Sequence, residues 1–468
     1  MKKNILLSAV IITAIYTTAY TNEVSPKKEI TMEEFVNIAA AKLPELKLNS
    51  IQVEYAENNK DKIDAMDDVY LGGSANYYKK SIYPQTGADA IGTTGIYSDV
   101  NAKKKFSYTG TTLSAGSSLT TATPEKMNKS YNPTVFAAIS QSILKNAFGM
   151  ADRHLKNNAA AMLEVEKLKQ KENDKTNIAN LKKLYITWMK YQQEMKILET
   201  SVKNAERLYS AVLKKSQQGM TEIEDAQNAK ATLLNYKESY QRSAVKMRQI
   251  ENEINLYLNV ASYMPSDSEI DLLYAKSRNF TYVIIPFTKV NSCEIYKLTR
   301  NNLIISKDID SNGLLPELNL VGQVSLSSKE DSFGTAASSM SNVDYFAGFE
   351  ASYPIGSSEA KSSLRETEIR INEINLEYDK SENFYKKSLS GVIESAEGLK
   401  TQIEIKTEKL KTLNQLYQVQ NTKYLQARTD ITNLLLTANS IAQENLNLVE
   451  LKFSLIENYI DYENLTRF

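Results

Sequence analysis

Apolar positions repeat every seven residues from Gly149 to Tyr257, on both sides of a glycine turn at Gly219. Two interleaved sets on each side give the 3-4-3-4 spacing of a coiled-coil seam. Before the turn the sets are Leu181, Trp188, Met195, Val202 and Tyr209, and Leu184, Tyr191, Leu198, Ala205 and Val212; after it they are Ala226, Leu233, Tyr240, Met247 and Ile254, and Ala229, Tyr236, Ser243, Ile250 and Tyr257. This pattern predicts a long antiparallel helical hairpin, whose first leg of roughly seventy residues would reach about 100 Å.

Other stretches have a period of two, which is typical of β-strands with one apolar face. The alternation is clearest in two late stretches and weaker in three early ones: 318–327, 343–352, 69–77, 106–121 and 135–140. A region rich in glycine, threonine and serine predicts an exposed loop around Pro84–Gly95. We therefore expect about four strands, with one or two more.

Shorter helices precede each group of predicted strands. A capping box at Thr31–Glu34 predicts the start of a helix that breaks at Pro44 and ends near Asp67. Residues 261–292 contain prolines and no clean periodicity, and are interpreted as a connector. Helix resumes over 293–303. Only thirteen residues then lie between Asn302 and Pro316, against about two dozen between Pro44 and Val69, so one helix of the second repeat is expected to be shorter by about three turns.

The helical hairpin occurs twice, with a shift of 208 residues between the copies. Under this shift Leu208-Tyr209 falls on Leu416-Tyr417, and the turn Gly219–Ile223 falls on Ala427–Ile431. Two unrelated coiled coils would not share both a register and a turn, so the sequence indicates an internal duplication. The predicted divisions are a signal peptide (1–19), a first repeat (20–260), a connector (261–292) and a second repeat (293–468).

The predicted strands are too few to close a membrane barrel within one chain. An open sheet edge cannot exist in lipid, and outer-membrane barrels start at about eight strands. Three chains with about four strands each would supply about twelve. The predicted fold class is therefore mainly α with β, in which long hairpins accompany a barrel shared by three chains.

Composition and charge narrow the class of protein. The 468 residues include 56 basic and 56 acidic side chains, so nothing indicates nucleic acid as a partner. Lys2-Lys3, an apolar run and small residues up to Ala19 predict a cleaved secretory signal, which we prefer to a permanent membrane anchor. The single cysteine, Cys293, cannot form an internal disulfide. No later apolar run of about eighteen residues predicts a transmembrane helix.

Patterns that indicate catalysis are missing from the sequence. The single histidine, His154, lies next to Arg153 without further metal ligands, so a solvated or hydrogen-bonded histidine is favoured. The lysines at 103–105 indicate a loop or rim patch. The sequence contains no phosphate-binding glycine loop, nucleophile elbow or zinc-protease motif. We therefore expect no enzyme activity, no metal site and no cofactor.

Several segments resemble the outer-membrane efflux protein (TolC-like) family. Ser140–Gly149 (SQSILKNAFG) and Tyr353–Gly356 (YPIG) resemble its strand-to-helix junctions, and Leu315–Leu320 (LPELNL) resembles its helix-to-strand junction. The turns at Gly219 and Ala427 resemble its periplasmic tips. Single motifs are weakly specific, but their doubled order is highly specific. The resemblance covers nearly all of the chain after the predicted signal.

This resemblance implies a TolC-like channel-tunnel. Its expected form is a homotrimer with a twelve-stranded β-barrel in outer-membrane lipid and a helical barrel across the periplasm. The channel would dock an inner-membrane transporter through a periplasmic adaptor protein. It would then serve as a passive export duct in tripartite efflux or type I secretion.

The resemblance also implies functional positions at the helix tips. Tyr424 and Asp225 match a periplasmic gate pair, and Arg428 precedes by one residue the position of a basic partner. The simpler interpretation is that Tyr424 is a seam residue and Asp225 an early-turn carboxylate favoured by the helix dipole. An acidic ring of some members is replaced here by Asn433 and Leu436. The expected adaptor-docking residues are Gly219, Thr221, Ile223, Ala427, Thr429 and Ile431.

Two other classes of protein carry similar elements. A periplasmic adaptor has a helical hairpin, but it would show one hairpin inserted in a small β-domain rather than two in register. A structural coiled-coil protein of the envelope would lack the alternating strands at 318–327 and 343–352. The export channel therefore fits the sequence better than either alternative.

Overall fold

The structure is a computed structural model, and it describes residues 27–82, 91–125, 128–426, 428–429 and 431–466. The predicted signal peptide (1–19) and the tip residue Ala427 lie outside the described residues, and so does most of the predicted loop at Pro84–Gly95.

The chain is divided into two compact units, each built from segments that are distant in sequence. The first is built from the described parts of Met1–Leu46, Lys175–Ile284 and Ser388–Arg467. The second is built from the described parts of Lys47–Asp174 and Ile285–Lys387. The units thus divide the chain differently from the two predicted repeats, whose boundaries stay a prediction.

Helices make up most of the described chain. In chain order they are α1 (Met32–Lys42), α2 (Pro44–Asp64), α3 (Met150–Gln217), α4 (Ile223–Ile254), α5 (Asp267–Asn279), α6 (Asn291–Asn312), α7 (Phe333–Ser338), α8 (Ser358–Leu425) and α9 (Ile431–Thr466). The strands are β1 (Lys28–Ile30), β2 (Val69–Ile82), β3 (Ile91–Phe106), β4 (Thr111–Pro124), β5 (Ser130–Ser142), β6 (Tyr263–Pro265), β7 (Glu317–Ser327) and β8 (Asn342–Ser352).

The long helical hairpins have the bounds that the sequence repeat predicts. Helices α3 and α8 each contain 68 residues, while α4 contains 32 and α9 contains 36. The shift of 208 residues places Met150 on Ser358, where α3 and α8 begin. The same shift places Ile223 on Ile431, where α4 and α9 begin. The heptad pattern therefore located both hairpins and both turns.

The predicted capping box starts α1 and anchors the core of the first unit. The Glu34 backbone N–H donates to the Thr31 hydroxyl at 3.3 Å, and the Thr31 N–H donates to the Glu34 carboxylate at 3.0 Å. Helix α1 then buries Phe35, whose ring lies 5.6 Å from the ring of Tyr185 on α3. The Tyr185 hydroxyl donates to the Ile30 carbonyl at 2.7 Å, which ties β1 to this core.

The main sheet has six strands in the order β2-β3-β4-β5-β7-β8, and every neighbouring pair is antiparallel. This number is at the upper end of the expected four strands with one or two more, and the fold class is unchanged. Strand β3 was missed because lysine, serine, asparagine and glycine blur its alternation. Its backbone is nevertheless paired on both sides, by β2 and β4. Lys103–Lys105 therefore lie near the end of a strand and not in a loop.

One further prediction was wrong, and the predicted connector contains regular elements. Helix α6 has 22 residues against 21 in α2, so the second helix is not shortened. The β-branched pair Ile304-Ile305 weakens helix propensity only slightly, and the helix ends at Gly313. The connector contains β6, which pairs with β1, and α5, which packs on α9. These elements depend on partners far away in sequence, so local periodicity does not reveal them.

A three-residue ion cluster joins α8 to α9 in the first unit. The Glu444 carboxylate accepts hydrogen bonds from the ammonium groups of Lys406 at 2.7 Å and Lys409 at 2.6 Å. The Glu444 side chain is only 8% exposed. The hydrogen bonds from Lys406 and Lys409 lower the pKa of Glu444 from 4.5 to about 2.

We expect Glu444→Gln to destabilise the first unit at pH 7 by about 1.5–3 kcal/mol, the usual range for hydrogen bonds to a charged group. Because the folded pKa lies below the ordinary value, this stability is present above about pH 4.5 and is lost as the pH falls toward 2. Thermal unfolding followed by circular dichroism at both ends of this window measures the difference.

A matched control is Glu408→Gln, because Glu408 is exposed and its nearest cation, Lys411, lies 3.7 Å away. This change should alter stability little. Equal effects of the two substitutions, or an effect of Glu444→Gln that persists at low pH, would contradict the role of the cluster.

Candidate functional site

The tip of the first hairpin is a glycine-terminated helix end. Gly219 adopts a φ of +71°, and the Met220 N–H reaches back to the Lys215 carbonyl at 2.9 Å. This is the hydrogen bond of a Schellman motif, in which a left-handed residue closes the helix. The positive φ favours glycine at this position. Lack of space is not the reason, because a Cβ there would meet no atom within 4 Å. The predicted helix stop at Gly219 is therefore present.

The tip of the second hairpin repeats the same closing hydrogen bond. The Arg428 N–H donates to the Lys423 carbonyl at 2.9 Å, which corresponds to the Met220–Lys215 bond under the 208-residue shift. The Arg428 guanidinium is exposed, and its nearest polar contact is the Gln426 side chain at 3.5 Å. Among the described residues, no hydrogen bond or ion pair joins Arg428 to Tyr424 or Asp225.

The predicted gate residues have separate contacts within one chain. The Thr221 hydroxyl donates to the Asp225 carboxylate across the first turn of α4. Tyr424, at the end of α8, lies under the Lys215 ammonium, which is 4.4 Å from the centre of its ring. Within the described residues no hydrogen bond joins Tyr424 to Asp225. The basic neighbour of the tyrosine is thus Lys215, which the sequence argument missed although basic residues are typical of a last helical turn.

Two equivalent isoleucines at the tips differ in burial. Ile431 is fully buried, in a cluster with Val212, Ala226, Ala229 and Leu435. Ile223, its counterpart in the first hairpin, is 74% exposed, and the neighbouring Met220 is 72% exposed. Ile431 therefore packs the two hairpins together, whereas Met220 and Ile223 form an exposed apolar pair at the first tip.

A cavity of about 470 Å³ lies between α3, α4, α8 and α9 in the first unit. Its wall includes Leu208, Tyr236, Tyr417 and Ala442. Burial, and to a lesser degree the nearby Tyr417, raises the pKa of Tyr236 to about 12, so its hydroxyl stays protonated at neutral pH. The wall contains no carboxylate, histidine or cysteine, and one lysine, Lys196, so it offers no acid–base pair.

Metal-binding geometry is missing from the part of the chain that the structure describes. No group of three or more histidine, cysteine, aspartate or glutamate side chains is close enough to hold a metal ion there. Cys293 is buried, and its sulfur lies 3.8 Å from the Tyr378 hydroxyl.

The six-stranded sheet of the second unit has one apolar and one polar face. Directly paired residues form an apolar row across all six strands: Leu71, Ala102, Ala115, Ala137, Val324 and Tyr345. On the opposite face a paired row is polar throughout: Ser74, Asp99, Ser118, Thr134, Ser327 and Asn342. The apolar face is exposed, with Leu71 at 80% and Tyr345 at 86%. A broad exposed apolar face of this kind marks contact with lipid or with another protein.

Solved structures with the same fold are outer membrane channels. The chain matches CusC with a TM-score of 0.70 and 13% identity, over 94% of this chain and 92% of that chain. It matches VceC from Vibrio cholerae with a TM-score of 0.66 and 10% identity, over 93% and 95%. It matches the open state of MtrE from Neisseria gonorrhoeae with a TM-score of 0.63 and 14% identity, over 93% and 88%.

The chain therefore has the TolC-like channel fold, which confirms the fold class and the resemblance predicted from the sequence. No protein-family model matches the chain, and no curated protein matches it in sequence. None of the described helices combines the length and the apolar character that a membrane-spanning helix needs.

Proposed function

We propose that this protein is an outer-membrane export channel that extends into the periplasm and provides a passive path for its cargo. The observation that carries the proposal is the six-stranded sheet with one continuous apolar face. In a membrane channel such a face contacts lipid, while the polar face lines water. The likeness to solved outer membrane channels over more than nine-tenths of the chain supports the same function.

The proposed channel works as a homotrimer. The sheet ends in two strand edges, and edges in lipid need backbone partners, which further copies of the chain can supply. A periplasmic adaptor and an inner-membrane transporter complete the proposed export system, of the tripartite or type I secretion kind. The chain itself supplies a path and a closure, and the transporter supplies the energy.

We expect the protein to fractionate with the outer membrane, to migrate differently on gels before and after heating, and to show the mass of three chains in detergent. The reason is that a closed barrel shared between chains keeps its backbone hydrogen bonds until it is heated. Purified protein should also form channels in planar bilayers. A stable monomer, or a protein found only in the periplasmic fraction, would contradict the proposed function.

The exposed apolar pair at the first tip, Met220 and Ile223, is the proposed contact for the adaptor. Both side chains are more than two-thirds exposed and lie next to the turn that the Met220–Lys215 backbone hydrogen bond closes at Gly219. Exposed apolar side chains at a rigid turn bind a partner with little loss of conformational entropy. In this proposal the second tip positions the first, because Ile431 is buried against residues of the first hairpin.

Changing both Met220 and Ile223 to Asp should abolish export without lowering the amount of protein in the outer membrane. A desolvated carboxylate at the contact costs several kcal/mol unless it is paired. Export from cells that carry the partner proteins is the measurement, and crosslinking to the adaptor should disappear with it. Leu234→Asp is a matched control, since Leu234 is also exposed on α4 but lies beyond the tip. Normal export by the double variant would rule out this contact.

Tyr424 and Asp225 are the proposed elements of closure at the periplasmic end. Each restrains a tip in the single chain, Asp225 through Thr221 and Tyr424 under Lys215. In the closed trimer a phenol–carboxylate hydrogen bond between them would contribute about 1.5–3 kcal/mol. A partner that binds the open state better can overcome this amount.

Tyr424→Phe keeps the ring under Lys215 and removes only the hydroxyl, while Asp225→Ala removes the acceptor. Each change should raise the conductance of the channel in planar bilayers. The double variant should add little to the larger single effect if the two groups share one bond, whereas separate contacts would give additive effects. Conductance at the wild-type level in both single variants would remove these residues from the gate.

A further inference from the structure

The strands of the main sheet are divided unequally between the two halves of the chain. Strands β2, β3, β4 and β5 lie between α2 and α3, while β7 and β8 lie between α6 and α8. The first half therefore supplies four strands and the second half two. The additional pair is the hairpin β2–β3, which stands at one end of the sheet.

The two strands of the β2–β3 hairpin are long enough to span a membrane. A transmembrane strand needs about 9–11 residues. Strand β2 has 14 residues and β3 has 16, against 11 in each of β7 and β8. Fourteen residue pairs join β2 to β3, and twelve join β3 to β4, so the hairpin is continuous with the rest of the sheet.

The same hairpin continues the two faces of the sheet. Leu71 pairs with Ala102, and Gly73 pairs with Val100, on the apolar face. A shift of one residue would have turned these side chains to the polar face, where Ser74 and Asp99 lie. A hairpin that folded away as a plug or a surface flap would not need to continue this pattern.

The two edge strands of the sheet run in opposite directions, so they can pair between copies of the chain. Within the described residues β2 and β8 each have a strand partner on one side only. Six antiparallel strands place β2 and β8 in opposite directions, so β8 of one chain can pair antiparallel with β2 of another copy. Closure within one chain fails because six strands are fewer than the smallest outer-membrane barrels, which have about eight.

We propose that β8 of each chain pairs with β2 of the next copy, so that every chain supplies six strands to a shared wall. This inference rests on the proposed function and on its trimer, which would then contain about eighteen strands rather than about twelve. With a strand spacing of about 4.8 Å and a tilt of about 40°, the backbone diameter rises from about 24 Å to about 36 Å. A pore of this width stays water-filled, as in barrels of 16–18 strands.

Disulfide crosslinking between copies tests the proposed seam, that is, the pairing of β8 with β2 of the next copy. The parent is Cys293→Ala, which removes the single cysteine of the chain. Ala347→Cys on the apolar face of β8 is combined, one at a time, with cysteine at every second residue of β2 from Val69 to Ser81, which lie on the same face. These seven positions sample every register that places Ala347 opposite β2, because a disulfide forms only when the Cβ atoms approach to about 3.5–4.5 Å. At least one pair should give dimers and covalent trimers on non-reducing denaturing gels.

The matched controls combine Ala347→Cys with cysteine at Ala115 or Ser117 on the same face of β4. A narrower wall that excluded β2 and β3 would instead bring β8 against β4. Bonds to β4, bonds formed only within a single chain, or no bond from any of the seven β2 positions would each overturn the proposed β8–β2 pairing.

Outer-membrane fractionation and native mass of the Cys293→Ala parent separate the two proposals. A trimer in the outer membrane that fails to crosslink overturns the seam alone, whereas a parent that is not a membrane trimer overturns the function. Electron microscopy of the unmodified trimer provides a second measurement. It should show about eighteen strands, and about twelve would overturn the inference.

Discussion

The register of the six antiparallel strands is the constraint on which the proposed channel depends. Side chains alternate along a strand, so a slip of one residue in any pair would exchange the faces of every strand beyond it. The observed pairing keeps Leu71 and Tyr345, at opposite ends of the sheet, in one apolar row. The same pairing keeps serine, threonine, asparagine and aspartate on the other face. In the proposed channel, separation of lipid from water would therefore follow from backbone hydrogen bonds rather than from any single side chain.

The tips combine a repeated backbone with different side-chain environments. Both turns are closed by the same backbone hydrogen bond, from Met220 to Lys215 and from Arg428 to Lys423. Ile431 is buried in a cluster that joins the two hairpins, whereas Ile223, at the equivalent position of the first tip, is exposed. The same residue type therefore packs against the other hairpin at one tip and faces solvent at the other. Lys215 and Thr221 hold the predicted gate residues in place within the chain.

The sequence predicts those features that depend on local periodicity and local capping. The heptads predicted α3, α4, α8 and α9, and Gly219 predicted the first tip. The structure shows that this glycine has a positive φ. Strand β3 was missed because its stability comes from partners on both sides and not from its own alternation. The difference between Ile223 and Ile431 was also invisible, since the same residue type follows the same turn and only the tertiary contacts differ. The contact of Lys215 with Tyr424 could not be predicted from local sequence, because Tyr424 lies on the other hairpin.

The extra hairpin β2–β3 also has a consequence for symmetry. A duplicated chain in a ring of three copies would have six equivalent sectors if its halves were alike. In the proposed trimer, four strands from one half and two from the other would make broad and narrow sectors alternate around the barrel, which would leave only threefold symmetry there. The hairpins α3–α4 and α8–α9 begin at equivalent positions of the repeat, so the helical part would keep an approximate sixfold repeat. A group carried by the extra hairpin, such as Asp99 with its Ser74 partner, would then meet the cargo three times in each turn of the wall and not six.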